Sequence, residues 1–265
     1  MGNLHRIVHV DLSIESDKLK LLKSNGASVI ESTVELQVGI IDNAGLIYQL
    51  GKDIQTAGMT WDILFDVRGI LQQVLAETGP DNRMFVRKAE RTIFENAHKL
   101  LSKLKEANYA PKYVSFETEI FDTIPSITLN YEEKARIING IINAAKSGIP
   151  DCKLIVISHE TTDNEAAKKQ ISKIKVASGR AFEAVNLISI KYDMDVEKFY
   201  DLNLNMNDLS RRFEAGIILD ISDLLSESES DLSLSDLDLT LGAISLERGY
   251  GVIYSEELVG KTKIK

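Results

Sequence analysis

Residues 178–221 read SGRAFEAVNLISIKYDMDVEKFYDLNLNMNDLSRRFEAGIILDI. The residues IKV, 174–176, just before this stretch read as a short strand, and Ser178-Gly179 as a turn. FEAVNLISIKYDM then reads as a helix with Phe182, Val185, Ile188 and Tyr192 on one face. DVEKFYDLN reads as a second helix. Asp195 is its expected N-cap, Val196, Phe199, Tyr200 and Leu202 form its apolar side, and Asn203 stands at its end. Ala215-Gly216 turns the chain into an apolar closing strand. The expected order over 174–221 is strand, helix, helix, strand.

Composition limits what surrounds this unit. The chain has 265 residues, enough for one large domain or several small ones. Hydrophobic residues make up 44% and charged residues 27%, proportions of a folded chain and not of a disordered one. The net charge of −9 argues against nucleic-acid binding, which needs clustered Lys and Arg. The single cysteine, Cys152, forms no internal disulfide, and His5, His9, His98 and His159 lack zinc-ligand spacing, so no metal or other cofactor is expected. The N-terminus MGNLHRIVHVDLSIESDKLK is broken by charges before any apolar core of a signal peptide, and no run approaches a membrane span. The expectation is a protein made in the cytoplasm, with no membrane partner.

Upstream, residues 4–14 alternate as a half-buried strand, with His5 and His9 on one face. Residues 28–42 and 45–51 repeat the strand signal around a hairpin turn at Asn43-Ala44-Gly45. WDILFDVRGILQQVLAE after Thr60 reads as a helix, and residues 82–109 as a longer one with Phe85, Ala89, Ile93, Ala97, Leu100, Leu101 and Leu104 inward. KYVSFETEIF, 112–121, reads as a strand. The segment 130–148 reads as a helix with Asn130 and Glu133 as a capping box, and CKLIVISH, 152–159, as a central strand. These elements divide the chain into a β-rich region at 1–58, a mixed helical middle at 59–170, the two-helix unit at 171–222 and an acidic linker with a strand-forming tail at 223–265. The fold class expected is α+β.

Chemistry is sparse at this level. Ser158, His159 and Glu160 at the end of the apolar strand are the nearest thing to a hydrolase site, but neighbours on a strand point apart. No nucleophile elbow, phosphate loop or His-Glu-x-x-His pattern occurs.

The 171–222 unit resembles a LysM domain. Ser178-Gly179 match the family's first turn, Phe182 its apolar anchor and Tyr192 the aromatic ending its first helix. Val196, Phe199, Leu202 and Asn203 match its second helix, and Gly216, Leu219 and Ile221 its closing strand. The resemblance implies a small core of Phe182, Val185, Tyr192, Phe199 and Leu202, with Asn203 at the helix end and Gly216 in the last turn. Arg180-Ala181 replace the family's Asp-Thr, and Ala215 replaces its turn proline. With no signal peptide and one divergent module, the resemblance implies a non-enzymatic adaptor of a phage tail or baseplate, partnered by other tail subunits in a symmetric assembly. A peptidoglycan- or glycan-binding protein is the alternative it leaves, with a hydrolase centred on His159 behind it. The acidic run 226–231 leads into a period-two array of Leu232, Leu234, Leu237, Leu239 and Leu241. That strand, with Arg211 and Arg212, is the expected contact surface for neighbouring subunits.

Overall fold

Residues Val29–Glu35 show how the chain builds its sheet. Their burial does not alternate between core and solvent, because both faces of the strand are covered. The computed structural model describes residues 5–79, 81–118, 127–161, 165–179, 185–191, 210–212, 214–220 and 249–254. Eight strands run through them: β1 (His5–His9), β2 (Val29–Glu35), β3 (Thr60–Asp66), β4 (Tyr113–Glu117), β5 (Lys153–Thr161), β6 (Val185–Lys191), β7 (Gly216–Asp220) and β8 (Gly249–Tyr254). Each pairs in parallel with the next, as in Val29↔Thr60, Ser115↔Ile155 and Ile188↔Ile217. β8 pairs in parallel with β1, Ile7 opposite Ile253, and closes the ring. Closure removes the exposed edges that an open sheet would leave.

Parallel neighbours need crossovers, and from β1 to β6 helices supply them: α1 (Ser16–Ser24), α2 (Gly45–Thr56), α3 (Arg68–Thr78), α4 (Asn82–Glu106), α5 (Tyr131–Gly148) and α6 (Glu165–Ser178). The result is a TIM-barrel fold. Inside the ring, Ile7, Val29, Leu64, Tyr113, Ile155, Ile157, Leu187 and Ile218 form one apolar plug. The outward residues, among them Ile30, Val34, Phe65, Phe116, Val156 and Ile217, join the helices in a larger core.

The helices form where local sequence and packing agree. α5 begins with a complete capping box: the Glu133 amide donates to Asn130 Oδ1 and the Asn130 amide to Glu133 Oε2, both at 2.9 Å. α4 buries Phe85, Ala89, Ile93, Ala97, Leu100 and Leu104 at helical spacing, and Asp81 caps it by accepting from the Met84 amide at 3.1 Å. Gly140 brings α5 onto α4, since a Cβ there would stand 2.6 Å from the Glu90 carbonyl oxygen.

Several expectations are corrected. The fold is not α+β with a β-rich start, because every described strand is parallel and a helix intervenes between each strand and the next from β1 to β6. No LysM-like unit stands at 171–222. The expected strand 174–176 lies inside α6, and the core of the expected first helix is β6, which pairs with β7 in parallel. Strands buried on both faces read as apolar runs, and Val185 and Ile188 within such a run mimic helical spacing. The same cause hid β3, read as a helix start. Its outward residues Trp61, Ile63 and Phe65 are as buried as its inward Asp62 and Leu64. In the opposite sense, Gly45–Leu50, read as a strand, opens α2. There Gly51 admits Trp61, whose Cζ3 would lie 2.7 Å from an added Cβ.

Of the residues matched to that unit, Val185 is buried on the outer side of β6 and Gly216 opens β7 opposite Leu187. Phe182, Tyr192, Phe199, Leu202 and Asn203 lie outside the described residues. So do Leu232, Leu234, Leu237, Leu239 and Leu241. Arg211 and Arg212 are exposed in a helical turn before β7.

Candidate active site

In a parallel barrel every strand ends at the same rim, so the side chains at the C-terminal ends of the strands share one mouth. Side chains alternate along a strand, and the plug residues fix which parity faces inward. Ile7 assigns His9 to the interior of β1, and Val29 assigns Glu31 and Glu35 on β2. Leu64 does so for Asp62 and Asp66 on β3, Tyr113 for Ser115 and Glu117 on β4, and Ile218 for Asp220 on β7. Four of the eight strands thus bring a carboxylate to or just below the mouth.

The deepest group is a relay across β1 to β4. His9 stands opposite Glu31 in register, and Glu31 opposite Asp62. The His9 Nδ1 lies 3.1 Å from Glu31 Oε1. Ser115 Oγ lies 2.7 Å from both Oδ1 and Oδ2 of Asp62 and donates to that carboxyl. The Asp62 carboxyl also hydrogen-bonds that of Glu31. Asp62 is fully buried, and burial pushes its carboxyl well above the ordinary carboxylate range. The neighbouring Glu31 charge adds to the push and the Ser115 hydroxyl opposes it. His9 moves up as well: its hydrogen bond to Glu31 is the main cause, and the charges of Glu31, Asp11 and Asp220 outweigh burial together with it.

Nearer the rim, Arg68 forks onto Asp66. Its Nε donates at 2.9 Å and its Nη2 at 2.6 Å, and its backbone amide adds a bond of 2.9 Å. Burial works to raise the Asp66 carboxyl, but these donors outweigh it and hold the group below its ordinary value. Glu117 and Glu35 add their charges around the same guanidinium. Glu35 lies against the first turn of α3, where a Cβ on Gly69 would come within 3.0 Å of its Oε1. The mouth therefore has an Arg68 side, with Glu35, Asp66 and Glu117, and a His9 side, with Glu31 and Asp220.

The histidines do not form a metal pair. His5 and His9 are four strand residues apart, roughly 13 Å at about 3.3 Å per residue. His5 lies at the opposite end of β1, its imidazole held below the ordinary value by burial and then by Lys112 and Lys153. Among the described residues no cluster of three or more His, Cys, Asp or Glu fits a metal ion. Ser158 is buried on the outward parity of Leu154 and Val156, whereas His159 and Glu160 belong to the last residues of β5, with side chains outside the description. The mouth residues Glu31, Asp62, Asp66, Glu117 and Asp220 were missed by the sequence reading. The signal was acidic residues at matching parity on successive strands, ES-V-E, WD-LFD and SFE, which becomes legible only once 60–66 is read as a strand.

No protein-family model matches the sequence, and no curated protein matches it. Solved structures do. A structure of fungal beta-1,4-galactanases superposes with a TM-score of 0.68 at 13% identity, covering 96% of this chain and 90% of that one. A GH53 catalytic domain from Ignisphaera aggregans gives 0.65 at 12% identity, covering 96% and 79%. A beta-glucosidase from Thermotoga maritima gives 0.63 at 7% identity, covering 91% and 76%. At these identities the likeness is one of fold. It overturns the expectation of a non-enzymatic tail or baseplate adaptor, whose premise was the LysM-like unit: the chain has the TIM-barrel fold of these glycan-cleaving proteins.

Proposed function

We propose that this chain is a glycan-processing enzyme, a glycoside hydrolase working at the mouth of its barrel. The observation that carries the reading is the ring of inward carboxylates at the C-terminal strand ends, set in a fold shared with a galactanase and a glucosidase. Glycosidic hydrolysis needs two carboxyl groups on either side of the scissile bond: one protonates the leaving oxygen, and the other attacks the sugar or activates water. Glu117 and Asp220 suit the pair. They are inward residues at the ends of β4 and β7, three strands apart around the ring. Asp66 holds Arg68, Glu31 holds His9 and Asp62 holds Ser115. Arg68 lies close enough to Glu117, and His9 to Asp220, for their charges to interact, so each side of the mouth has a donor for sugar hydroxyls.

The test is release of reducing ends from β-1,4-galactan, cello-oligosaccharides, chito-oligosaccharides and aryl β-glycosides. Glu117→Gln and Asp220→Asn are each expected to lower the rate about 10²- to 10⁴-fold, with the fold intact by circular dichroism. Turnover of none of these substrates, or full activity in both variants, overturns the reading.

A further inference from the structure

We propose that His9 is a ligand-facing hydrogen-bond donor at the floor of the mouth, held by Glu31, with Asp62 and Ser115 as positioning residues behind it. The inference rests on the glycan reading for its ligand, a sugar hydroxyl, but its geometry stands on its own.

Two carboxyl groups hydrogen-bond to each other only when one carries the proton. Asp62 is the one that carries it. It is fully buried, it accepts from Ser115, and no cation pairs with it among the described residues. Its O–H then points at Glu31, and the Glu31 carboxyl accepts from both Asp62 and His9 Nδ1. A carboxylate on Nδ1 fixes the orientation of the imidazole and leaves Nε2 as the outward group. The exposures agree: the Glu31 side chain is 7% exposed and that of His9 44%. The groups facing His9 are all acidic: Glu31 from β2 with Asp62 of β3 behind it, Asp220 from β7 and Asp11 beyond β1. The side chains of β8 lie outside the description. Such surroundings favour the charged ring, the form in which Nε2 carries a proton to donate.

A second feature of the interior points to a polar occupant. On β6 the inward Ser189 is buried, and its hydroxyl has no partner among the described residues. Buried hydroxyls are normally satisfied, and a ligand hydroxyl or a water reaching below the rim would do so here. An acid-rich mouth favours neutral polyhydroxylated ligands over anionic ones.

The experiment is a histidine NMR titration of the full chain, with His9 assigned by its loss in His9→Gln. His9 is expected to titrate above 6.5, the value of a free imidazole. Glu31→Gln should lower that midpoint. Asp62→Asn should leave it in place, because one uncharged group replaces another. A midpoint at or below 6.5, or an Asp62→Asn variant that lowers it as far as Glu31→Gln, overturns the proposal. The ligand contact has its own readout in Glu117→Gln, titrated with galactotriose, cellotriose and chitotriose. A bound sugar should move the His9 resonances, and His9→Gln should raise KM about tenfold while changing kcat less. A sugar that binds with the His9 resonances unmoved also overturns it. If His9 titrates as expected while no sugar binds or is cleaved, the glycan reading fails and the relay stands.

Discussion

On β1 to β4 the interior mixes His9, Glu31, Asp62 and Ser115 with the apolar Ile7, Val29, Leu64 and Tyr113, whereas on β5 to β7 Ile155, Ile157, Leu187 and Ile218 leave the buried Ser189 as a polar exception below the rim. Both halves rest on one backbone plan, parallel strands buried on two faces. Their interiors are stabilised by different means. The mainly apolar half gains from burial at roughly 25 cal/mol per Å² and, Ser189 aside, needs no side-chain hydrogen bonds. The polar half places carboxyl groups where desolvation opposes them, and it holds together only because Ser115, Glu31 and His9 supply hydrogen bonds. Stability alone gives no reason for such a network, since apolar residues of similar volume commonly serve as well or better. The asymmetry is the physical mark of a site.

Moving a charge across that divide gives the largest expected effect. Ile218→Asp puts a carboxylate among Ile157 and Leu187 with no relay to receive it, and should cost about 4 kcal/mol or more in urea unfolding. A cost below about 1 kcal/mol would show that the apolar half tolerates charge and that the two halves do not differ. Gly140→Ala, between α4 and α5, should cost about 1–3 kcal/mol, because the obstacle is the Glu90 backbone and not a movable side chain.

Asp62→Asn reads the polar half through pH. The Asp62 carboxyl is raised in the fold, so the stability it contributes is full below about 3.8, the ordinary Asp value, and is lost as pH rises toward the folded value. His9 is raised too, and its contribution is full below 6.5 and lost as pH rises through its own folded value. Both therefore weaken the fold as pH rises. Asp62→Asn should flatten the decline above 3.8 and leave the variant at least as stable as the parent at pH 7, measured by unfolding at pH 4, 5.5 and 7. A variant that loses stability at pH 7 would mean that the carboxyl is structural. Asn130→Ala, far from either interior, should cost about 1 kcal/mol through the lost cap. Arg211→Ala should stay within about 0.5 kcal/mol, as expected of an exposed side chain.

The sequence showed those parts of the fold whose signals are local. α4 was read from helical spacing and α5 from its cap, β1 and β2 from period-two alternation, β5 and the closing strand β7 from apolar runs, and β4 was read as a strand as well. It hid what depends on the partner. Nothing within 60–66 tells a strand with Trp61, Ile63 and Phe65 under helices from the opening of a helix, and nothing within 185–191 announces a parallel neighbour on each side. The site followed the same rule. His9 was noticed as a strand histidine, but its partner Glu31 is 22 residues away, and Ser115 is 53 residues from Asp62. Such contacts are set by barrel closure, and only the strand parity of the acids hints at them.

A crystal structure of Glu117→Gln soaked with a β-linked oligosaccharide tests the central claim most directly. The sugar is expected at the C-terminal rim, with one ring between Glu117→Gln and Asp220 and a hydroxyl on His9 Nε2. A sugar seated instead on the outer helices, or an empty rim at a saturating concentration, would contradict it.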